Sequence, residues 1–409
     1  MKEVVCVEAV RSPVGRSGWK GMEKKGQFAE TSAQDLLAQV LKALVERVQK
    51  KSSKFNPDEI EDVLVGCLSQ IGEQGLNIGR IALLLAGLHV DVAGCTVNRY
   101  CNAGLQAINF GAMSIMTGCG DIMVAGGVEL MSHYPMGSDM QVAIDAKAPV
   151  FLSEHLGDTG VFNPMGNAAE MVAKKYNFSR EDMDQFGLWS HQKAVKAQRD
   201  GIFKEHVVPI NTAKSNEEPK IVDTDETLRA QCLDDPEGAL AKMAALQPRF
   251  ITDGKVTAGN SSQIVDGAAA TMLMSSEKAE ELGLEPLVKI KSMAVSGSEP
   301  FIMLLGPIPA SQKAMKRANL TFDDMDCIEP NEAFASPCLA FAQEFDYAFD
   351  DPRVNPTGGA IALGHPIGAS GVIYFTEMAQ YLKREKKKYG IQMLCGGGGV
   401  GIATVVERV

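Results

Sequence analysis

Pro57-Asp58-Glu59-Ile60-Glu61-Asp62-Val63, which runs on into Leu64-Val65-Gly66, is echoed far along the chain by Phe322-Asp323-Asp324-Met325-Asp326-Cys327-Ile328. Aligning Ile60 with Met325 sets an offset of 325 − 60 = 265 residues. A second echo pairs the strand-like Ile122-Met123-Val124-Ala125-Gly126-Gly127 with Ile391-Gln392-Met393-Leu394-Cys395-Gly396-Gly397. Internal similarity of this kind points to a duplicated unit. The same offset carries Cys101 to position 366, one residue from His365. The repeat therefore predicts that Cys101 and His365 stand at corresponding strand-to-helix junctions of two like halves.

The segments around these echoes alternate between short apolar runs and helical periodicity. Val4 to Val10 reads as a strand. Thr31-Ser32 supplies hydroxyl caps, and Leu36, Leu37, Val40, Leu41, Leu44, Val45 and Val48 follow on one helical face. Val63 to Gly66 is a short strand, Gly79 to Leu88 a helix, and a helix opens at Gly104 behind Cys101. This alternation predicts an α/β protein with a parallel, layered sheet. From Glu129 to Ala258 the pattern breaks into Met-, Pro- and Gly-rich loops around two helical pieces, Asn167 to Tyr176 and Arg180 to Asp200. Such an excursion lies over a core and often shapes a substrate pocket. The expected division is a first core half at 1–128, continued over 259–275, a loop domain at 129–258, and a second core half at 276–409.

Bulk properties narrow the function classes. The chain has 409 residues, 45% of them hydrophobic, enough for a large core. A net charge of −11 argues against nucleic acid or an anionic membrane as the main partner. The nine cysteines are odd in number and form no C-x-x-C, which points to a reducing compartment, no disulfide framework and no metal site. The N-terminus lacks a signal-peptide pattern, and no apolar run reaches the ~18–20 residues that span a bilayer. The expectation is a cytoplasmic protein. The basic run Lys383 to Lys388 reads as a solvated helix end, with a contact to an acidic partner as the alternative.

Four clusters carry chemistry. Cys101, in Val97-Asn98-Arg99-Tyr100-Cys101-Asn102-Ala103-Gly104, precedes a helix, where free N–H groups and the helix dipole favour a thiolate. Alone, such a cysteine is more often an inert core residue. His365 sits between Gly364 and Pro366 in a stretch with five glycines, Asn355 to Gly371, a setting that suits a general base or an oxyanion donor better than a packed histidine. Cys395 precedes Gly396-Gly397-Gly398-Gly399, whose free N–H groups suit an oxyanion or phosphate, or merely a tight turn. Asn331-Glu332-Ala333-Phe334 follows a strand end, where α/β proteins bind ligands.

Taken together, these clusters resemble the thiolase family, whose members make or cleave 3-oxoacyl-CoA thioesters. Met165-Gly166-Asn167-Ala168-Ala169-Glu170, Val256-Thr257-Ala258-Gly259-Asn260-Ser261-Ser262, Asp266-Gly267-Ala268-Ala269-Ala270 and Gly306-Pro307-Ile308-Pro309-Ala310 extend the likeness over essentially the whole chain. The resemblance implies an α/β thiolase fold: two duplicated core domains in five layers, α-β-α-β-α, with an inserted loop domain. It implies Cys101 as the nucleophile that carries the acyl group, His365 as the base that draws its proton, and Cys395 as acid and base. It also implies an oxyanion hole from His365 with a water held by Asn331, and another from the backbone N–H groups of Cys101 and Gly397. Ala258, Ser262 and Arg229 would lie along CoA, and Met165, Met303, Ala333 and Phe334 would line the thioester pocket. Acyl-CoA and CoA are then the substrates, no metal or other cofactor is called for, and a homodimer or homotetramer is expected.

Three departures from the family pattern bear on specificity. Asn102 and Ala103 stand where two small residues usually follow the nucleophile, Pro164 replaces a His that acetoacetyl-preferring members often carry, and Leu304 replaces a glycine after Met303. They favour a degradative 3-oxoacyl-CoA thiolase over a biosynthetic enzyme restricted to acetyl-CoA. A decarboxylating, synthase-type condensing enzyme would lack the Cys395 type of acid and base. A non-catalytic acyl-CoA-binding subunit of the same fold is the remaining alternative.

Overall fold

A computed structural model describes residues 1–17, 26–150, 153–214 and 217–409. In it the echoing segments become matching strands. The strands are β1 (Val4–Arg11), β2 (Gly15–Arg16), β3 (Asp62–Gly66), β4 (Ala93–Val97), β5 (Ile122–Leu130), β6 (Ile210–Asn211), β7 (Ile221–Val222), β8 (Val265–Ser275), β9 (Val288–Gly297), β10 (Cys327–Pro330), β11 (Tyr389–Gly396) and β12 (Val400–Glu407). Ten of them form one hydrogen-bonded sheet in the order β10-β11-β12-β9-β1-β8-β5-β3-β4, with β2 on β8, while β6 and β7 pair separately. The first half reads β4-β3-β5-β8-β1. The second reads β10-β11-β12-β9, and Val354 bridges to Ile328 in parallel at its outer edge, as β4 lies against β3. The halves thus share one strand order and meet through a short β1–β9 contact at Val5–Lys289 and Cys6–Val288.

The expectation of a parallel sheet needs correction. β3–β4, β3–β5 and β10–β11 are parallel, but β5–β8, β1–β8, β11–β12 and β12–β9 are antiparallel. The physical reason is plain for β11 and β12, which are joined only by Gly397–Gly399. So tight a connection closes a hairpin, whereas a parallel pair needs a long crossover.

Five layers follow from where the apolar faces go. The helix Ala33–Lys51, capped by Ser32, buries Leu36, Leu37, Leu41, Leu44 and Val48 against Val5, Val7, Val124 and Met272 of the first half-sheet. Each such leucine contributes about 1.5–3 kcal/mol of burial. On the opposite side the helix Pro307–Ala318 covers β9 and β12. Between the half-sheets lie Ala103–Met116 and Ile367–Arg384, which place Leu105, Ile108, Ile115, Val372 and Phe375 in one shared core with Leu394 and Ile402. The excursion supplies Met165–Lys175 and Arg180–Arg199, the latter started by a capping box between Ser179 and Asp182. Arg11 ties the excursion down: it is bidentate to Asp225 at 2.8 and 2.9 Å and donates to Glu377 of the middle helix at 2.7 Å.

The two middle helices cross almost backbone to backbone. A Cβ on Gly371 would stand 2.1 Å from the Leu105 main-chain nitrogen, and one on Gly104 would stand 2.8 Å from the Gly368 carbonyl oxygen. The helices begin at Ala103 and Ile367, two residues after Cys101 and two after His365. Cys101 and His365 therefore stand at the same place relative to the two helix starts. Their first turns touch through Gly104 and Gly368, which brings the residues that precede them to the same end of the crossing.

Replacing Gly371 sets two effects against each other. Alanine in an exposed helix interior is favoured by about 0.5–1 kcal/mol over glycine, but here the added carbon meets main chain that cannot turn aside. Overpacking of this sort costs about 1–3 kcal/mol or more. Gly371→Ala is therefore expected to lower the melting temperature; a variant as stable as the parent in thermal denaturation would contradict the close crossing.

Candidate active site

Cys101 owes its position to a strained approach. Tyr100, just before it, has φ of 50°, a left-handed conformation that bulky residues hold only when their surroundings compel it. The Asn98 side chain compels it from below, accepting from the Tyr100 N–H at 3.0 Å and donating to the Leu68 carbonyl at 3.3 Å. Cys101 is then buried among Met131 and Ile367, with Leu68, Met165 and Ile264 around them. Its own N–H and that of Gly397 are directed at the thiol and favour its ionisation.

Burial nonetheless outweighs those donors. It pushes the Cys101 thiol up, and nearby Cys395 pushes it further, because a charge on one sulfur opposes a charge on the other. Cys395 is itself pushed up to about 12 by burial. The sequence expectation of a resting thiolate at the helix start is thus corrected: in this apolar enclosure both cysteines rest as thiols.

The imidazole of His365 is oriented by its own helix. Its Nδ1 lies 2.6 Å from Ser370 Oγ, and that hydroxyl donates to the Pro366 carbonyl at 3.0 Å. A hydroxyl has one proton, so it accepts from Nδ1–H, and Nε2 is left with its lone pair. Nε2 faces Asn331 Nδ2 at 3.5 Å. Burial lowers His365 to about 4, so the ring is neutral over the ordinary range and ready to take a proton at Nε2. Asn331 Oδ1 is buried without a protein partner, a vacant acceptor beside that nitrogen.

Main-chain bonds draw the remaining predicted residues around this centre. The Ser262 N–H donates to the Ala333 carbonyl at 3.0 Å, the Ala335 N–H donates to Asn260 at 2.9 Å, and Ser261 bridges to Phe334. One residue on, Gln263 accepts from the His365 N–H at 3.0 Å. Thus Ser262, Ala333, Phe334 and His365 share one wall, and Met165 packs close to Cys101. Met303 is buried in the apolar cluster that also holds Ala333, Phe334 and Cys395. Ala258 and Arg229 are both exposed. Among the described residues, none of the bonds that assemble the pocket involves the Arg229 side chain, which lies near Arg16 and Cys232.

Three residues here had no assigned part in the sequence reading. Ser370 sits four residues past Pro366 in the quoted glycine-rich stretch, and only the helix shows that this spacing turns its hydroxyl back to His365. Phe250 meets Phe334 edge-on at 5.9 Å and lies over Gly166, where any Cβ would strike its ring. Glu129 is buried and accepts from Leu68 N, Ser69 N and Gln74 Nε2 and from Gly368 N in the first turn of the middle helix, all at 2.9–3.0 Å. It ties the loop under Cys101 to the helix behind His365. No local sequence signal marks it.

Two buried thiols and a neutral imidazole with a free Nε2, flanked by aimed backbone N–H groups, are chemically equipped for acyl transfer through a cysteine thioester. Among the described residues no cluster of His, Cys, Asp or Glu is arranged to hold a metal. Residues 4–277 match the family described as Thiolase, N-terminal domain, and residues 284–408 match Thiolase, C-terminal domain. The chain belongs to the thiolase family. It is 42% identical to a 3-ketoacyl-CoA thiolase of Idiomarina loihiensis and 43% identical to one of Aliivibrio salmonicida, over the full length of both partners in each case. The acetyl-CoA acetyltransferase of Bacillus anthracis superposes with a TM-score of 0.85 at 35% identity, covering 100% of this chain and 99% of that one.

Ser370→Ala would remove one neutral hydrogen bond, worth about 0.5–1.5 kcal/mol, and free the ring to adopt the wrong tautomer. The expected result is a fall in kcat/KM of about 2- to 10-fold, larger if the tautomer is lost outright; unchanged kinetics would remove the serine from the orientation of His365. A pH series checks the protonation states. Burial lowers His365 to about 4, so kcat/KM for a 3-oxoacyl-CoA is expected to show no His365 step as pH falls from about 7.5 to about 5.5. An inflection near the ordinary imidazole value of about 6.5 would contradict the lowered His365.

Proposed function

We propose that this enzyme cleaves 3-oxoacyl-CoA with CoA to acetyl-CoA and a shortened acyl-CoA, and runs the reverse Claisen condensation, through an acyl thioester on Cys101. The observation that carries the reading is the joint burial of Cys101 and Cys395 beside an imidazole whose unprotonated nitrogen faces Asn331.

In thiolysis the Cys101 proton passes to His365 Nε2 as the sulfur attacks the 3-oxo carbon. The N–H groups of Cys101 and Gly397 receive the charge that develops on that oxygen. The C2–C3 bond then breaks, its electron pair goes to the acetyl-CoA enolate, and Cys395 gives its proton to C2. A water bridging the Asn331 side chain and the His365 ring would hold the enolate oxygen. The Cys395 thiolate next takes the proton of the CoA thiol, and the CoA sulfur displaces Cys101 from the acyl group. His365 returns its proton to Cys101, and the enzyme is restored. Because the resting groups are neutral, charge appears only as bonds change, where fixed dipoles in a buried site stabilise it most.

The substrate wall supports the pocket residues named above: Met165, Met303, Ala333, Phe334 and Ser262 on the thioester and pantetheine side. The placement of Ala258 and Arg229 at the surface suits contacts farther along CoA. Pro164 ahead of Met165, together with relatives named 3-ketoacyl-CoA thiolases, supports the degradative direction and a range of acyl lengths. A homodimer or homotetramer is supported by β4, whose outer edge is unpaired among the described residues, with Leu84, Leu85, Phe110 and Met113 exposed on helices packed against it. An edge of that kind is a template for pairing with a second copy. Nine free cysteines support a reducing, cytoplasmic setting. No helix among the described residues is long and apolar enough to cross a membrane.

The test is to mix the enzyme with acetoacetyl-CoA and CoA, follow loss of the magnesium-enolate absorbance, and repeat with longer 3-oxoacyl-CoAs. Turnover that rises or holds with chain length is expected, and Cys101→Ala should abolish it. Activity retained by Cys101→Ala would refute the nucleophile, and turnover of acetoacetyl-CoA alone would restrict the enzyme to the acetyl reaction.

A further inference from the structure

Asn102 directly follows the nucleophile, is fully buried, and takes no part in the reaction just described. With its nitrogen turned toward β11, the orientation that matches both ends of the amide, it donates to the carbonyls of Leu394 at 3.0 Å and Cys395 at 2.9 Å. Those carbonyls belong to the two peptide units on either side of the Cys395 Cα. Peptide units are planar, so holding both fixes φ and ψ of Cys395 and the direction of its Cα–Cβ bond. Only χ1 is left to the thiol. The amide also lies flush on the next residue, since a Cβ on Gly396 would come within 3.2 Å of its other end, the oxygen in this orientation.

The other end of this link is the nucleophile's own backbone. The Asn102 N–H donates to the Arg99 carbonyl at 3.0 Å, and its carbonyl accepts from Gln106 at 2.8 Å, which places it in the turn that carries Cys101. One side chain therefore spans the main chain of both reactive cysteines. The small residues that usually follow a thiolase nucleophile have no donor long enough to make both bonds.

We propose that Asn102 is a positioning residue that sets the Cys395 thiol relative to Cys101, and that it acts on the proton transfers at C2 and at the CoA thiol through Cys395 alone. This rests on the reading of Cys395 as acid and base.

Asn102→Ala, Asn102→Ser and Asn102→Asp are compared with the parent by four measurements: kcat and KM, exchange of acetyl-CoA C2 hydrogen with deuterated water, the rate at which iodoacetamide labels Cys101, read by peptide mass spectrometry, and melting temperature. Misplacement of a catalytic group by about an ångström costs up to about 10²-fold, so kcat and C2 exchange are expected to fall together by about 10- to 100-fold. KM and Cys101 labelling are expected to hold within about twofold for Ala and Ser. Asp keeps the size but offers at most the single O–H of its protonated form, too few donors for both carbonyls, and is expected to lose turnover as well. Full turnover by Ala or Asp overturns the proposal, and so does a loss of turnover matched by equally slow Cys101 labelling in the folded Ser variant. Cys395→Ala is the separate control: if it turns over like the parent, the acid and base reading fails, whatever Asn102 does.

Discussion

The close crossing of the helices Ala103–Met116 and Ile367–Arg384 is the constraint on which the rest depends. Gly104, Gly368 and Gly371 let the two backbones approach where no side chain fits. Because each helix starts two residues past a reactive residue, this single contact delivers Cys101 and His365 to one end of the middle layer. Glu129 reinforces it, accepting from the Gly368 N–H and from the loop that supports Cys101. The half-sheets then serve mainly to clamp the pair and to bring Cys395 and Asn331 in from the ends of β11 and β10.

A buried enclosure decides the protonation states. Burial raises both cysteines and lowers the histidine, so no charge rests among the reacting groups. The enclosure would be inert if it held nothing else. It holds N–H groups from Cys101 and Gly397 and the amide of Asn331, dipoles already oriented before substrate enters. Ground-state neutrality with preset dipoles is what lets charge be stabilised when it forms rather than beforehand.

Much of this was legible in the residues. Ser32 announced its helix, the Ile60 and Met325 echoes announced the duplication, and Cys101, His365 and Cys395 stood out by their glycine-rich or helix-start settings. Other features were not. The antiparallel pairings of β5–β8 and β12–β9 escaped a pattern that reads only periodicity, because a buried strand looks alike in either direction. Ser370, Phe250 and Glu129 act across the fold or around a helical turn, and their neighbours in sequence say nothing of it. The expected thiolate failed for a related reason: a helix start is visible locally, whereas the apolar lining by Met131, Met165, Ile264 and Ile367 comes from four separate segments.

The sequence by itself determined the duplicated α/β halves and the excursion between them, and it singled out Cys101, His365 and Cys395, since each is written in local spacing or in recurrence along the chain. Only the tertiary structure decided that the two middle helices cross at Gly104, Gly368 and Gly371, that Ser370 holds His365 Nδ1, and that Asn102 reaches the peptides flanking Cys395. Those are matters of direction and distance between segments hundreds of residues apart, set by packing against neighbours that no short stretch contains.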